Sequence, residues 1–504
     1  MKEPSQKLKN ALLFITVFFC GMSVMIIELV GSRIISPYVG TSIYVWTSLI
    51  GIILGSLSLG YYLGGRSADK NPNLKTLSLI LLLSGISTVA IIYLRYIAYR
   101  LGIFNSEFNL LSIIFAPFIF VPSTLFFGMV TPYIIRLHLK NIETSGAAVG
   151  KLYALSTIGS IIGTFLGGFL LISYFGSTNI LIILGIITIC LSLIVYLFHK
   201  KDLGFPLVVC LAIGLSLLTF RTPTAIPTPG NLVADIDTPY KRLWIFDSTD
   251  YVTKLPTRII TDTVFGSQSG IFLDNPSELL FEYQKYFDLV SHFSPSGKKL
   301  LMIGAGAFTY PAHYLANNST GTIDVVEIDP SMEEISTKYF SLVKDPRLKI
   351  IHDDGRIFLN KTSEVYDGIF VDAFTSLLSI PYQLTTKETV DKLYEKVSLD
   401  GAVIVNIISA IEGGKGEFLR AEYVTYKTVF PTVLLFKVYE HINDKTVQNI
   451  ILVATKKPAP TLQSRDTELN RLLKNIYTKK IKEDMPILYD DFAPVEKYTA
   501  KLIL

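Results

Sequence analysis

The sequence predicts an α-helical membrane domain followed by an α/β domain, which has a Rossmann-type, mostly parallel sheet and a small N-terminal antiparallel β subdomain. Half of the 504 residues are hydrophobic and the mean hydropathy is +0.44. This composition is too apolar for a soluble domain and indicates membrane spans. The apolar residues concentrate before about residue 220. Beyond Lys299, apolar runs alternate with helix-like segments, as in an open parallel sheet covered by helices on both faces.

The membrane half contains seven apolar stretches, most of which reach the roughly 20 residues that cross a bilayer. They are residues 11–30, 43–64, 76–94, 110–135, 152–174, 180–198 and 205–220. Lysines and arginines flank alternate ends, so the positive-inside rule places the N-terminus in the cytoplasm. A complete seventh span would put the remaining chain outside. Because residues 205–220 form the shortest stretch, we predict that it is not a full span and that the soluble domain of this multi-pass protein is cytoplasmic.

Two further observations limit the function of the membrane half. Glu28 lies in the first stretch, where an ionisable group is costly; it is either a functional group or an ion-pair partner of Arg33. The three cysteines all fall in apolar runs without metal-binding or disulfide spacing, so no metal site is predicted. The net charge of +4 is too small to indicate nucleic-acid binding.

The soluble half begins after a linker at residues 221–230, which is rich in proline and threonine and is predicted to be extended. Short β-type runs at 232–236, 243–246, 257–260 and 270–273 predict the antiparallel subdomain, and residues 277–292 predict a helix. The predicted strands of the main sheet are 300–303, 323–326, 348–351, 368–371, 403–407, 433–437 and 449–454. The resulting domain boundaries are 1–220, 221–230, 231–296 and 297–504.

Glycines and acids follow four consecutive strands of the predicted main sheet. Ligands of open parallel sheets bind at the carboxyl ends of the strands. Glycines there allow close approach of a nucleotide-type ligand, and an acid about 20 residues further on can bind ribose hydroxyls. The residues after the four strands are Gly304 and Gly306, then Glu327 and Asp329, then Asp354, and finally Asp372.

At these residues the soluble half resembles the spermidine synthase, or polyamine aminopropyltransferase, family over about residues 231–504. Residues 326–330 match the family motif V-E-I-D-P, residues 345–347 match D-P-R and residues 354–356 match D-G-R. Residues 304–309 stand in place of G-G-G-D-G-G and residues 371–375 in place of D-S-x-D. Residues 128–132, 150–153 and 490–496 are similar to a branch of the family in which this domain is fused to a multi-span membrane segment.

The resemblance implies a class I methyltransferase-like fold and an adenosyl-sulfonium co-substrate, either decarboxylated S-adenosylmethionine or S-adenosylmethionine, without a metal. It implies that Asp372 is the catalytic base, because an amine must lose a proton before it attacks carbon. Glu327 would bind the ribose hydroxyls and Asp354 the adenine amino group. Gly304, Gly306 and Asp329 complete the predicted donor site. The predicted acceptor residues are Tyr240, Glu282, Tyr283, Thr375, Asp490 and Asp491.

Three positions depart from the family pattern. Ala307 stands where the family's glycine loop carries an acid that contacts the donor amine, and Thr375 replaces the second acid of D-S-x-D. Residues 281–283 read Phe-Glu-Tyr in place of Y-H-E. Each lost carboxylate removes a charge-assisted contact of about 1.5–3 kcal/mol. Aminopropyl and methyl transfer therefore both stay open, and intact S-adenosylmethionine becomes a plausible donor.

The predicted partners are the donor, an amine acceptor that is either a polyamine or a lipid-linked amine, and membrane lipid, but not nucleic acid. A homodimer is left open. An alternative function is a transporter or sensor whose soluble domain binds a nucleoside or polyamine without catalysis, as Glu28 and the altered acids suggest. A membrane-anchored dehydrogenase is less favoured, because Asp354 and Asp372 have no evident role in hydride transfer.

Overall fold

The chain forms two compact units in a computed structural model. The first unit comprises Met1–Ile226 with Asp237–Arg242, and the second comprises Pro227–Ile236 with Leu243–Leu504. The four predicted domain boundaries stay predictions. The structure describes residues 6–101, 108–139, 145–199, 204–219, 230–264, 266–295, 297–373, 380–458 and 461–502.

The first unit is helical. Its helices are α1 (Gln6–Val39), α2 (Ile43–Lys70), α3 (Leu74–Arg100), α4 (Phe108–His138), α5 (Ser145–Phe165), α6 (Ile172–Phe175), α7 (Ser177–Leu197) and α8 (Gly204–Leu218), with a π-helical turn, Leu166–Leu171, between α5 and α6. Among the described residues, six helical stretches are long and apolar enough to cross a membrane. Helix α8 has 15 residues, and its length of about 22 Å is less than the roughly 30 Å of a hydrocarbon core. This length agrees with the prediction that the last apolar stretch is not a full span.

Arg33, at the C-terminal part of α1, has an acidic partner that the sequence did not suggest. Its Nη2 atom lies 3.2 Å from Oδ1 of Asp237, and Nη1 donates to the carbonyl of Pro239 at 2.8 Å. The other carboxylate oxygen of Asp237 accepts a hydrogen bond from the backbone N–H of Ser177 at 2.6 Å. Asp237, rather than Glu28, is therefore the ion-pair partner that the structure gives Arg33.

The second unit contains the two predicted sheets. The smaller sheet has the order β1 (Asn231–Asp237), β2 (Arg242–Thr249), β3 (Pro256–Thr261), β4 (Ser269–Phe272), with antiparallel pairing of β2 with β3 and of β3 with β4. The larger sheet has the order β10-β11-β9-β8-β5-β6-β7. Its strands are β5 (Lys299–Ile303), β6 (Thr322–Glu327), β7 (Leu348–His352), β8 (Tyr366–Val371), β9 (Val397–Ser409), β10 (Thr432–Lys437) and β11 (Gln448–Thr455).

The larger sheet is parallel from β9 to β7, and β10 and β11 add antiparallel pairing at one edge. Leu300 and Met302 of β5 enter one apolar cluster and Leu301 and Ile303 enter the other, because successive side chains of a strand point to opposite faces. The predicted α/β fold with a mostly parallel sheet is thus confirmed, and each predicted strand is present.

The helices of the second unit are α9 (Glu282–Lys285), α10 (Val290–Phe293), α11 (Thr309–Asn317), α12 (Ser331–Tyr339), α13 (Gly355–Lys361), α14 (Lys387–Lys396), α15 (Glu417–Lys427), α16 (Thr467–Lys474) and α17 (Val495–Thr499).

The helix predicted at residues 277–292 is wrong in its first part. Leu279 pairs with Ile271 in an isolated antiparallel bridge, and Phe281 has extended backbone angles. Helical structure begins only at Glu282, where α9, a 3₁₀ turn over Tyr286–Leu289 and α10 follow one another. The competing β-bridge with the strand Ser269–Phe272 explains why the apolar pattern does not form a helix there.

Candidate active site

The cleft of interest lies where the direction of the sheet connections reverses. From β5 the chain continues to β6 and β7 on one side, and β8 then pairs with β5 on the other side. Ligands of doubly wound sheets bind at this point, outside the carboxyl ends of the strands. A cleft of about 310 Å³ lies here, within the size range of ligand pockets. Residues that line it include Gln268, Ser269, Tyr283, Gln284, Gly304, Ala305, Gly306, Glu327, Asp372, Asn406, Tyr439 and Asn449.

The turn after β5 requires glycine. Gly304 has φ of +87° and Gly306 has φ of +53°, a region that side chains disfavour. A Cβ atom on Gly304 would also lie 2.6 Å from the carbonyl oxygen of Asp372. The backbone after β5 and the backbone after β8 therefore approach each other closely, which brings the glycine turn and Asp372 together.

Glu327, at the end of β6, is held by backbone donors. Its Oε2 atom accepts from the N–H of Ala305 at 3.0 Å, and Oε1 accepts from the N–H of Asp329 at 3.0 Å. Both carboxylate oxygens are thus fixed in direction and each keeps a lone pair for a ligand hydroxyl. Asp329 is buried and accepts from the N–H of Ser331 at the start of α12. It does not line the cleft among the described residues.

Asp372, directly after β8, is held by two side chains. The hydroxyl of Tyr283 donates to Oδ2 at 3.3 Å, and the amide of Asn406 on β9 donates to Oδ1 at 2.9 Å. Asn449 on β11 donates in turn to the carbonyl oxygen of Asn406 at 2.9 Å. Burial raises the pKa of Asp372 to about 7, although the hydrogen bonds from Asn406 and Tyr283 act to lower it. The carboxyl group therefore exchanges its proton near neutral pH, which suits a general base.

Sequence reasoning missed several polar residues of this cleft, among them four amides. Asn406 and Asn449 lie within the apolar runs that predicted β9 and β11. A single amide in an otherwise apolar strand is unusual, and this feature could have marked both residues as candidates for the site. Gln268 lies just before the strand predicted at residues 270–273, Gln284 lies within the helix predicted at residues 277–292, and neither carried such a signal. These four amides enter the cleft only because the fold brings together segments that are distant in the chain.

The donor side of the cleft has an uncharged wall in place of the missing loop acid. Ala307 is buried, and the nearby hydroxyl of Thr309 lies 3.2 Å from the hydroxyl of Ser269 and accepts from Nε2 of Gln284 at 2.9 Å. The buried Oε1 atoms of Gln268 and Gln284 have no hydrogen-bond partner among the described residues. Buried acceptors of this kind are costly unless a ligand or water satisfies them. Together with the fixed Glu327, they fit a ligand with ribose hydroxyls and a polar end group.

Tyr283, rather than Phe281, is the aromatic residue beside Asp372. Its hydroxyl reaches the carboxylate, and burial together with the charge of Asp372 raises its pKa well above the usual value. The family motif Y-H-E is therefore better placed on residues 283–285, Tyr-Gln-Lys, than on residues 281–283. In this register the tyrosine is retained and Lys285 replaces the acid.

Several of the predicted site residues have other contacts. Both oxygens of Glu282 are paired, with Lys285 and Arg471 at 2.8 Å each. Asp354 caps α13 by accepting from the N–H groups of Arg356 and Ile357, and it does not line the cleft among the described residues. An N-cap of this kind uses one carboxylate oxygen and leaves the other available.

Among the described residues, the predicted acceptor residues Tyr240, Asp490 and Asp491 do not line this cleft. Asp490 pairs with Arg356 at 2.8 Å and accepts from the hydroxyl of Thr386, while Asp491 is exposed in the adjoining turn. Tyr240 is half-exposed and belongs to the first unit. Thr375 lies outside the described residues. Among the described residues there is no cluster of three or more side chains that could hold a metal ion.

The sheet, its connection reversal and the cleft at the strand ends define a Rossmann-type α/β protein with a candidate ligand site at the usual position for this fold. Residues 280–443 match the family model of the spermine/spermidine synthase domain. Over this segment the chain is similar to the spermidine synthase family.

Curated relatives cover different shares of the chain. Polyamine aminopropyltransferase 1 of Streptomyces coelicolor is 23% identical over 418 residues, which cover 78% of this chain and 75% of that protein. This share exceeds the length of the second unit, so the similarity extends into the helical unit. The polyamine aminopropyltransferase of Vibrio vulnificus is 25% identical over 162 residues, 32% of this chain and about half (52%) of that protein. A probable spermidine synthase structure from Corynebacterium glutamicum aligns with a TM-score of 0.41 at 20% identity, covering 50% of this chain and 87% of that chain.

Proposed function

We propose that this protein is a membrane-anchored aminopropyltransferase that moves the aminopropyl group of decarboxylated S-adenosylmethionine to an amine, with Asp372 as the base. The observation that carries the proposal is the Asp372 carboxylate, which lines the cleft beside the Gly304 turn and has a pKa of about 7. Similarity to the family supports the reaction class. The six apolar helices support the membrane anchor.

Donor binding is assigned to the glycine turn and to Glu327. The backbone at Gly304 and Gly306 leaves room for the donor because neither residue carries a side chain. The Glu327 oxygens, held by the N–H groups of Ala305 and Asp329, accept from the two ribose hydroxyls. Asp354 contributes a contact to the adenine amino group in this proposal, through the carboxylate oxygen that its capping contacts leave free.

The chemical step is a nucleophilic substitution at the carbon next to the sulfonium. The acceptor nitrogen gives up a proton to Asp372 and its lone pair forms a new C–N bond. The C–S bond breaks, and its electron pair goes to sulfur, which leaves as a neutral thioether, 5′-methylthioadenosine. Tyr283 and Asn406 keep the carboxylate directed at the acceptor, and general-base catalysis of this kind contributes about 10²–10⁴-fold.

The donor end group decides between two forms of the reaction. The unpartnered oxygens of Gln268 and Gln284 are hydrogen-bond acceptors and suit the ammonium of a decarboxylated donor. The second candidate is transfer from intact S-adenosylmethionine, because Ala307 removes the acid that would repel a carboxylate. Calorimetric titration of the detergent-solubilised protein with both donors separates the two, and we expect tighter binding of the decarboxylated form.

The test of the proposed base is Asp372→Asn. We expect transfer to fall at least about 100-fold, while calorimetric binding of the donor persists, because the donor contacts at Glu327 remain. Asp391→Asn, which removes a partly exposed carboxylate paired with Lys387 on α14, serves as the matched control and should keep full activity. Undiminished transfer by Asp372→Asn would exclude the proposed base. Absence of transfer in the wild type would favour the transporter or sensor function and direct attention to Glu28.

A further inference from the structure

Asp490, near the C-terminal end of the described chain, connects the first turns of two helices. Its Oδ2 atom lies 2.8 Å from Nη2 of Arg356 on α13. Its Oδ1 atom accepts from the hydroxyl of Thr386, immediately before α14, at 2.6 Å, and its backbone N–H donates to Oε2 of Glu388 on α14 at 3.0 Å. Asp490 therefore fixes the start of α13 against the start of α14.

The chain that carries Asp490 is itself held in place. Leu488, two residues earlier, is buried. Its N–H donates to the hydroxyl of Thr425 on α15 at 3.0 Å, and its carbonyl accepts from the N–H of Lys387 on α14 at 2.7 Å. The Asp490 carboxylate is thus presented to Arg356 by a segment that is bonded on both sides.

The guanidinium of Arg356 depends on this carboxylate. The Arg356 side chain is 16% exposed, and its Nη1 atom donates to the hydroxyls of Thr386 and Thr389, which are uncharged and buried. Among the described residues, Asp490 is the carboxylate that forms an ion pair with Arg356. A largely buried cation without a counter-charge is costly, so loss of the Asp490 charge should displace the guanidinium.

Arg356 also belongs to the turn that holds Asp354. The N–H groups of Arg356 and Ile357 donate to Oδ1 of Asp354 at 2.8 and 3.0 Å. Because both capping bonds use Oδ1, the Oδ2 atom can accept from a ligand. The direction of this second oxygen depends on the first turn of α13, and therefore on the position of Arg356.

The strand register places Asp354 beside the proposed ribose site. Glu327 on β6 pairs with His352 on β7, and Asp354 lies two residues past His352, at the same edge of the sheet. A nucleoside whose ribose hydroxyls meet Glu327 can therefore extend its base along this edge to Asp354. Ile328 and Ile357, next to the two acid-bearing turns in the chain, are exposed and provide apolar surface for a flat ring.

We infer that Asp490 is a positioning residue for the donor base: through Arg356, it directs the second oxygen of Asp354 to the exocyclic amino group of adenine. This inference rests on the proposed function, in which Asp354 contacts that amino group. The C-terminal segment thereby sets the base selectivity of the donor site although it does not line the cleft.

The test measures base selectivity rather than affinity alone. Calorimetry on the full-length, detergent-solubilised protein compares 5′-methylthioadenosine with its 6-deamino analogue, in which hydrogen replaces the amino group. We expect the wild type to prefer 5′-methylthioadenosine at least about tenfold, because the analogue lacks a hydrogen bond to a charged group. In Asp490→Asn, which keeps the size of the side chain and removes its charge, the preference should fall below about threefold. Binding of the deamino analogue should stay within about twofold of the wild type, because Asp354 makes no contact with it.

A second ion pair of the same segment provides the matched control. Asp484 pairs with Arg420 on α15 at 2.6 Å, and the side-chain exposures, 46% and 7%, resemble those of Asp490 and Arg356, 47% and 16%. Asp484→Asn should lower the thermal unfolding temperature as Asp490→Asn does, but it should keep the full base selectivity. Arg356→Gln should reproduce the loss of selectivity, and the double variant with Asp490→Asn should lose no more than either single variant, since both act through one contact.

The outcomes separate the inference from the proposed function. A loss of selectivity in Asp490→Asn and Arg356→Gln, but not in Asp484→Asn, supports the inference. Unchanged selectivity in Asp490→Asn, or equal binding of the two nucleosides by the wild type, overturns the inference and leaves the role of Asp372 standing. Failure of the wild type to bind either nucleoside overturns both the inference and the proposed donor site.

Discussion

At the scale of single residues, the proposed chemistry depends on how the protein holds one carboxyl group, that of Asp372. Asp372 follows a buried strand, where desolvation favours the neutral acid. Tyr283 and Asn406 donate to its two oxygens and favour the ionised form. The balance gives a pKa of about 7, so the group is largely able to accept a proton at physiological pH.

We predict that the rate has an acid limb set by Asp372. Because the base must be ionised, kcat/KM for the donor at saturating acceptor should fall as the pH drops below about 7. Asn406→Leu removes a hydrogen bond to the carboxylate, so the pKa should rise and the limb should move about one pH unit higher. An unshifted limb in this variant would contradict the role of Asn406.

Asn449 provides a more distant test of the same group. It does not contact Asp372 but donates to the carbonyl oxygen of Asn406, and so fixes which way that amide points. We expect Asn449→Leu to move the acid limb in the same direction as Asn406→Leu, by a smaller amount. Gln448→Leu changes the neighbouring buried amide, whose side chain bonds to Asn443 and Thr446 instead. If the acid limb shifted as far in Gln448→Leu as in Asn449→Leu, the shift would reflect a general disturbance of β11 rather than the orientation of Asn406.

At the scale of elements, the ends of β5 and β8 determine the site. The glycine turn after β5 passes within van der Waals distance of the backbone after β8, and Gly304 permits this approach. The β6 end supplies Glu327, and β9 and β11 supply the amides behind Asp372. Five strands thus contribute to one cleft although their residues are separated by up to about 145 positions in the chain.

We predict that Gly304→Ala abolishes donor binding. Alanine would have to adopt a φ of +87°, and its Cβ would lie 2.6 Å from the backbone oxygen of Asp372. The substitution should therefore destabilise the protein by more than about 1 kcal/mol. Gly413→Ala is the matched control, because Gly413 has a similar φ of +72° but no atom within 4 Å of the added Cβ. Thermal unfolding and donor calorimetry on both variants measure the difference. Equal binding losses would show that backbone strain alone, rather than the close approach to Asp372, is responsible.

At the scale of the whole molecule, the sequence joins a helical unit to an α/β unit. Six helical stretches have the length and hydropathy of membrane spans, and the similarity to the Streptomyces coelicolor protein includes part of this unit. With α8 too short for a full span, the described residues contain six candidate spans, and we propose that this even number leaves the second unit on the same side of the membrane as the N-terminus. From the positive-inside rule we propose that this side is the cytoplasm.

We predict that a cysteine introduced at Glu334, an exposed position on α12, reacts with a membrane-impermeant maleimide only after the cells are permeabilised. The native cysteines give little background, since they lie in apolar helices α1, α7 and α8. The chain itself should stay in the membrane pellet after an alkaline carbonate wash. Labelling in intact cells would place the second unit outside and contradict the proposed cytoplasmic location.

The sequence alone was sufficient for the fold class, for every strand of both sheets, and for Gly304, Gly306, Glu327 and Asp372 as rim residues. Hydrophobic periodicity and the rule that strand ends meet at one edge are local or topological properties, so they can be read without coordinates. The tertiary structure alone decided which acids face the cleft. Asp329, Asp354 and Asp490 have other partners, and Glu282 is neutralised by Lys285 and Arg471. Tyr283 and Asn406 hold Asp372, and Asn449 orients Asn406. The physical reason is that the direction of a side chain and its hydrogen-bond partner depend on contacts between segments far apart in the chain, and residue type and spacing do not encode these contacts.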